Sequence, residues 1–256
     1  MAASHGSSRR AGASHCFPGM IADVDELAVP AADGVPLHVS CTGEGADVVV
    51  LSGGPGCVHY LADEGIAPAG LQSWFPEPRG VGRSGGGPHD MARAVADLED
   101  VRRALGVARW VVLGHSWGSD LAVRYALDHP ERVAAVVGIA GHGLHKDRNW
   151  SEIYEAQRHT EEAIHIVWNQ QVHAALNGSF LEWIHEPGLY RSLADSPVRM
   201  RFIAASNDIR PDWPLRQLAE LVPAGSFELV AGVDHNFWTT DPERWIEVVT
   251  EACTQL

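Results

Sequence analysis

Gly114-His115-Ser116-Trp117-Gly118 places a serine between two glycines. The run Val111-Val112-Leu113 precedes it, and a helical pattern over 119–130 follows at once. A serine hydroxyl is a poor nucleophile at neutral pH. It needs a base to take its proton, a group to orient that base, and donors for the oxyanion that forms. A tight turn from buried strand to helix meets part of this need. It pushes the side chain out over the sheet's carboxyl edge and aims the free N–H groups of the helix N-terminus at the reacting centre. The plainer role for Ser116 is to cap the helix.

The base must come from elsewhere. Among 14 histidines, His235 stands out because it follows a strand pattern in "ELVAGVDHNFW", ahead of the last helix. His159, His165 and His173 read as solvated or packing residues. The orienting acid is expected at Asp208, just past the buried run in "RFIAASNDIRPDWP". Asp212 and Asp234 are the alternatives. Asp212 lies at a helix start, where capping suits it, and Asp234 is adjacent to His235, where loop side chains rarely face each other. The oxyanion donors are expected to be the backbone N–H groups of Gly54, in "LSGGPG" (51–56), and Trp117. Glycine there lets an N–H approach a carbonyl with no Cβ in the way; the alternative is that the segment is only a tight turn. Cys57, beside that loop, and His142, in "AGHGLH" after a strand, are further candidates for substrate contact, although a free cysteine is more often a small buried apolar residue.

These residues need a scaffold that brings strand ends together. Strand patterns are read at 26–30, 35–41, 47–51, 71–75, 109–114, 132–141, 199–206 and 226–232. Helical patterns fall at 89–106, 119–130, 214–222 and 241–253, with Gly106 as the expected C-cap of the first. Strands alternating with helices predict an α/β fold with a mostly parallel central sheet flanked by helices. The alternation breaks over 143–197, where Trp150, Tyr154, Trp168, Leu176, Phe180 and Trp183 sit at spacings of short amphipathic helices. This predicts a small all-helical insertion between core segments 21–142 and 198–256. Its aromatic residues, Trp168 among them, are expected to line a substrate pocket. Residues 1–20, rich in Gly, Ser, Ala and Arg, read as a mobile extension without the apolar core of a secretory signal, and Met20 is a possible initiator.

Composition narrows the function classes. The 256 residues carry 33 acidic and 19 basic side chains, a net charge of −14. That surface repels phosphate backbones, so nucleic acid is not an expected partner. The four cysteines, Cys16, Cys41, Cys57 and Cys253, show neither a disulfide framework nor metal-ligand spacing. A reducing, cytoplasmic compartment is the simplest expectation, with no metal and no cofactor. No apolar run approaches the ~20 residues of a membrane span. The oligomeric state is not readable.

"GGPG", "RGVGRSG", "GHSWGS", an Asp after a strand and a final "G-x-D-H" together resemble the α/β-hydrolase superfamily and, within it, the proline-iminopeptidase-like branch. The order Ser116, Asp208, His235 is the order that superfamily uses. The resemblance covers roughly 25–142 and 198–256; the insertion resembles only a helical cap. It implies an α/β-hydrolase fold and a Ser-His-Asp acyl-enzyme mechanism. The chain departs from the branch at Ser52, where the branch has histidine, and at Pro76-Glu77-Pro78-Arg79-Gly80 in place of Asp-Gln-Arg-Gly. The cap is also short for an iminopeptidase, which holds its substrate's amine with cap carboxylates; Glu152, Glu155, Glu161, Glu162, Glu182 and Glu186 are the candidates. The branch is similar also to serine esterases that open macrolide lactones. The expected activity is hydrolysis of a small-molecule ester or lactone, a macrolide being the most concrete substrate. The rivals are a proline iminopeptidase and, in another class, a ligand receptor that keeps the pocket without turnover. A dehalogenase is excluded, because its chemistry needs a carboxylate at position 116.

Overall fold

In the runs 48–51, 110–113 and 135–137, apolar residues follow one another without alternating with polar ones, so both faces must be buried. The computed structural model describes residues 25–144, 148–161 and 164–255. The expected extension 1–20 lies outside the described residues. Eight strands form one sheet: β1 (Asp25–Pro30), β2 (Pro36–Thr42), β3 (Ala46–Leu51), β4 (Leu71–Pro76), β5 (Trp110–His115), β6 (Val133–Ile139), β7 (Met200–Ala205) and β8 (Gly225–Val230). Their spatial order is β1-β2-β4-β3-β5-β6-β7-β8. The β1–β2 and β2–β4 pairs are antiparallel, and every other pair is parallel.

Successive strand residues divide between two apolar layers. Val49, Leu51, Val112 and Val136 face the layer that holds Leu98, Leu121 and Leu215. Val48, Val50, Val111, Leu113 and Val137 face the other, against Trp245 and Val248. Each such side chain contributes roughly 1.5–3 kcal/mol by leaving water. The first layer is covered by α1 (Met91–Ala104), α2 (Trp117–Asp128) and α6 (Trp213–Leu221), and the second by α8 (Pro242–Thr254). Asp90 starts α1 by accepting the Arg93 N–H at 2.7 Å, and Gly106, at φ 71°, follows its end. Arg79 anchors the long loop after β4 to Asp97 of α1 at 2.6 Å and to Asp33 of the β1–β2 turn at 2.9 Å.

Between β6 and β7 the regular elements of the described residues are helical: α3 (Arg148–Gln157), α4 (Gln170–Ile184) and α5 (Leu189–Ala194). The apolar stripe Val172, Leu176, Phe180 and Trp183 seats α4 on the first layer. A short α7 (Phe237–Thr240) follows the loop after β8. The parallel strands β3, β5, β7 and β8 end on one edge, so residues 52–56, 116, 206–210 and 231–235 emerge side by side there.

One buried cluster ties α1 to α2. Glu99 accepts from Arg102 Nε at 2.7 Å and from the Tyr125 hydroxyl at 2.5 Å. Burial alone would raise the Glu99 carboxyl, but the Arg102 and Tyr125 hydrogen bonds outweigh it and hold the group down at about 2. A depressed native pKa contributes stability that is full above the unfolded carboxyl value and is lost as pH falls from there through about 2. Glu99→Gln therefore lowers Tm at pH 7 and flattens the Tm–pH curve between about pH 4.5 and 2; thermal melts across that range check it, and a variant curve parallel to wild type would refute the assignment.

Candidate active site

The turn at Ser116 is built by what surrounds it. Ser116 sits at φ 54° and ψ −127°, between the end of β5 and the start of α2. A Cβ on Gly114 would lie 2.2 Å from the Gly118 carbonyl oxygen, and one on Gly118 would lie 2.3 Å from the Leu51 carbonyl oxygen. Both flanking glycines are thus steric requirements of the turn. The helix begins at Trp117, two residues earlier than its pattern predicts, and the Ser116 side chain makes no capping hydrogen bond. The plainer capping role is therefore not what this hydroxyl does.

Asp208 and His235 meet, as their places after β7 and β8 require. Asp208 Oδ2 accepts from His235 Nδ1 at 2.6 Å, and both side chains are buried. A carboxylate can only accept, so the proton sits on Nδ1 and leaves Nε2 with a free lone pair. The alternative acids are engaged elsewhere. Asp212 pairs with Arg216 at 2.7 Å; Asp234 accepts from the Asn236 N–H and the Thr240 hydroxyl. Burial alone would raise the Asp208 carboxyl, but the adjacent His235 and Arg210 hold it below the usual carboxylate range.

A hydrogen-bonded chain, invisible in the sequence, ties these elements together. His115 is fully buried, and burial pushes its imidazole down to about 3, so the ring is neutral. Its Nε2 lies 2.9 Å from the His235 carbonyl, which can only accept, so Nε2–H donates. Nδ1 is then the acceptor for the Tyr60 hydroxyl at 2.7 Å. The Tyr60 oxygen in turn accepts the Gly53 N–H at 2.7 Å. The residue before Ser116 thus joins the loop after β3 to the backbone of His235. His115 lies inside the quoted five residues, and its place at the end of a buried strand could have singled it out. Tyr60 carried no local signal, because its partner is 55 positions away.

The same chain occupies one N–H of the loop after β3. Gly53 N–H is engaged by Tyr60, and a Cβ on Gly53 would lie 2.4 Å from Ser116 Cβ, so the loop abuts the serine. Gly54, at φ 59°, follows. Trp117 opens α2, so its N–H has no acceptor within the helix.

The other candidates fall in different places. Cys57 Sγ lies 2.6 Å from where a Cβ on Gly54 would be, and burial pushes the thiol up to about 11, so it stays protonated at neutral pH. His142 turns its Nδ1 to Asp120 Oδ2 at 2.9 Å and packs on Trp150 and Phe180. Trp168 is 52% exposed and pairs with Cys57 through the backbone. A cleft of about 270 Å³ opens beside His235, walled by Thr160, Glu161, Ile164, Asn207 and Asn236 among others. Its walls mix polar groups with the apolar Ile164 and Ile209. Trp150 stacks on Tyr154, and Trp168 faces outward. Among the described residues, no disulfide joins Cys41, Cys57 and Cys253, no His/Cys/Asp/Glu group could hold a metal ion, and no helix is long and apolar enough to cross a membrane.

A family model described as the alpha/beta hydrolase fold matches residues 48–191, more than half of the chain, and the chain belongs to that family. Within it, the chain is similar to proline iminopeptidases. It is 40% identical over 103 residues to that of Neisseria gonorrhoeae, a stretch covering 37% of this chain and 32% of the relative. The match thus spans about a third of that relative's length. Among solved structures, the proline iminopeptidase of Mycobacterium smegmatis superimposes with a TM-score of 0.69 at 20% identity, covering 90% of this chain and 98% of that one. A thermophilic esterase of Thermogutta terrifontis superimposes equally well, at 0.69 and 18% identity over 90% and 98%. Both likenesses are of fold.

Tyr60→Phe tests the buried chain. It keeps the ring stacked on Trp238 but strands the Gly53 N–H and His115 Nδ1. The expected loss is about 1–3 kcal/mol, read as a lower urea midpoint at unchanged slope. An unchanged midpoint would contradict it.

Proposed function

We propose that this hydrolase is a serine enzyme that cleaves carboxylic esters or lactones of small molecules. The observation that carries the reading is the Asp208–His235 hydrogen bond at 2.6 Å, tied through His115 at 2.9 Å to the positive-φ turn that holds an uncapped serine. Ser116 Oγ attacks the carbonyl carbon while His235 Nε2 takes its proton. The Gly54 and Trp117 N–H groups hold the oxyanion, each worth on the order of 10²–10³ in turnover. His235 returns the proton to the leaving alcohol, and an acyl-Ser116 remains. His235 then deprotonates a water that attacks the acyl carbon, and Ser116 is regenerated. Asp208 holds the imidazole in the required tautomer throughout. Acyl transfer by this route needs no cofactor.

An iminopeptidase anchors a free amine with carboxylates. Glu161, which walls the cleft, is already paired with Arg210 at 2.6 Å, and Glu186 pairs with Arg124 at an exposed site. An ester or lactone asks for no such anchor, and a macrolide lactone is the most concrete candidate. The similarity to the Neisseria enzyme favours proline iminopeptidase as the second reading. A cytoplasmic location belongs to the same proposal.

A hydrolysis screen read by mass spectrometry separates the readings. It would offer 14- and 16-membered macrolides, p-nitrophenyl esters and a prolyl-arylamide to wild type and to Ser116→Ala. The proposal expects a product of water addition to an ester or lactone, absent with Ser116→Ala, and a loss of about 10⁴ in kcat for Asp208→Asn. Cleavage of the prolyl-arylamide alone would establish the peptidase. No Ser116-dependent turnover would overturn both and leave a receptor.

A further inference from the structure

Asp208 has two carboxylate oxygens, and only one faces His235. The other, Oδ1, accepts twice from a single residue: from the Arg210 backbone N–H at 2.9 Å and from Arg210 Nη1 at 3.0 Å. The Arg210 side chain is only 13% exposed. Its guanidinium also reaches the inserted segment. Nη1 donates to Glu161 Oε1 at 2.6 Å and Nη2 to Oε2 at 3.3 Å, a two-pronged grip. The Tyr154 ring of α3 covers it, 5.0 Å from ring centroid to guanidinium carbon. A guanidinium suits this place because its planar fork can serve two carboxylates at once while stacking on a ring.

We propose that Arg210 is a positioning residue that couples the inserted helical segment to the catalytic acid through the link Glu161–Arg210–Asp208. This rests on the serine-hydrolase reading above. Arg210 fixes Asp208 Oδ1, so that Oδ2 alone is turned to the imidazole. It also places a buried positive charge against the Asp208–His235 pair, and Glu161 partly neutralises that charge from the inserted segment. The charged and titratable groups facing this cluster are Asp208 after β7, Glu161 and Tyr154 from the insertion, His115 at the end of β5, Tyr60 from the loop after β3, and His235 with Asp234 after β8. None of these is a permanent cation, so among the described residues facing this cluster Arg210 supplies the one fixed positive charge. Docking of the insertion is therefore felt at the triad as a change in field, without contact between the insertion and His235 Nδ1.

The signs follow from Coulomb's law. Loss of the Arg210 charge makes the site more negative and favours the imidazolium. Loss of the Glu161 charge leaves Arg210 uncompensated and disfavours it. The test is the pH profile of kcat/KM for p-nitrophenyl acetate, with the imidazole ring signals of His235 followed by NMR over the same range. Arg210→Met is expected to move the acid limb and the ring titration to higher pH, by on the order of one unit. Glu161→Gln is expected to move both to lower pH by a smaller amount. Arg210→Lys, which keeps the charge but loses the planar fork, should return the midpoint toward wild type with kcat below that of wild type. A purely structural role predicts lower stability without displacements of opposite sign. Glu161→Gln breaks a half-buried contact only, so it still decides the matter if Arg210→Met misfolds. Unmoved midpoints in an enzyme that turns over would overturn the coupling. Absence of Ser116-dependent turnover in every form would instead overturn the reading it rests on.

Discussion

Ser116 is held at φ 54° and ψ −127°, a conformation that costs a non-glycine residue about 1–3 kcal/mol. Nothing local favours it. It persists because the surrounding backbone over-determines it: the Ser116 N–H donates to the Ile139 carbonyl at 2.8 Å, and its own carbonyl accepts the Ser119 N–H at 2.9 Å. Gly114 and Gly118 make room for the turn, and the Leu51 carbonyl closes over Gly118. β3, β5, β6 and α2 thereby converge on one residue. The sheet can be read as the device that keeps this turn strained, with its hydroxyl released from capping and its helix N-terminus facing the same edge.

The second organising feature is a buried charge with two claimants. Asp208 gives one oxygen to His235 and the other to Arg210. In a low-dielectric site an unpaired carboxylate would be protonated, and a protonated Asp208 could not hold the imidazole tautomer. His235 and Arg210 together keep the acid ionised, and the His115 contact fixes the histidine's backbone. The long chain from Gly53 through Tyr60 and His115 to His235 does by hydrogen bonds what the sheet does by packing: it joins loops from three strand ends into one rigid edge.

The scaffold was largely legible because its signals are local. Val48-Val49-Val50-Leu51 and Trp110-Val111-Val112-Leu113 are apolar on both faces, and only strands of a covered sheet want that. Asp208 and His235 were legible through position, each just past such a run. What was not legible depends on partners far away in sequence. Arg210 reads as a loop arginine until Glu161, 49 positions earlier, is brought beside it. Tyr60 reads as one more aromatic residue until its hydroxyl is placed between Gly53 and His115. The surroundings of the aromatic residues were hidden for a related reason. Helical spacing marks Trp150 and Trp168 as apolar, but cannot say whether their face meets substrate, Tyr154 or water.

The central claim is that Ser116 is a nucleophile activated by His235. It is tested most directly by the intact mass of the protein after exposure to a serine-directed fluorophosphonate, followed by peptide mapping. The account predicts one adduct, on the peptide carrying Ser116, formed by wild type and lost in both Ser116→Ala and His235→Ala. No adduct on wild type, or an equally fast one after His235→Ala, would contradict it.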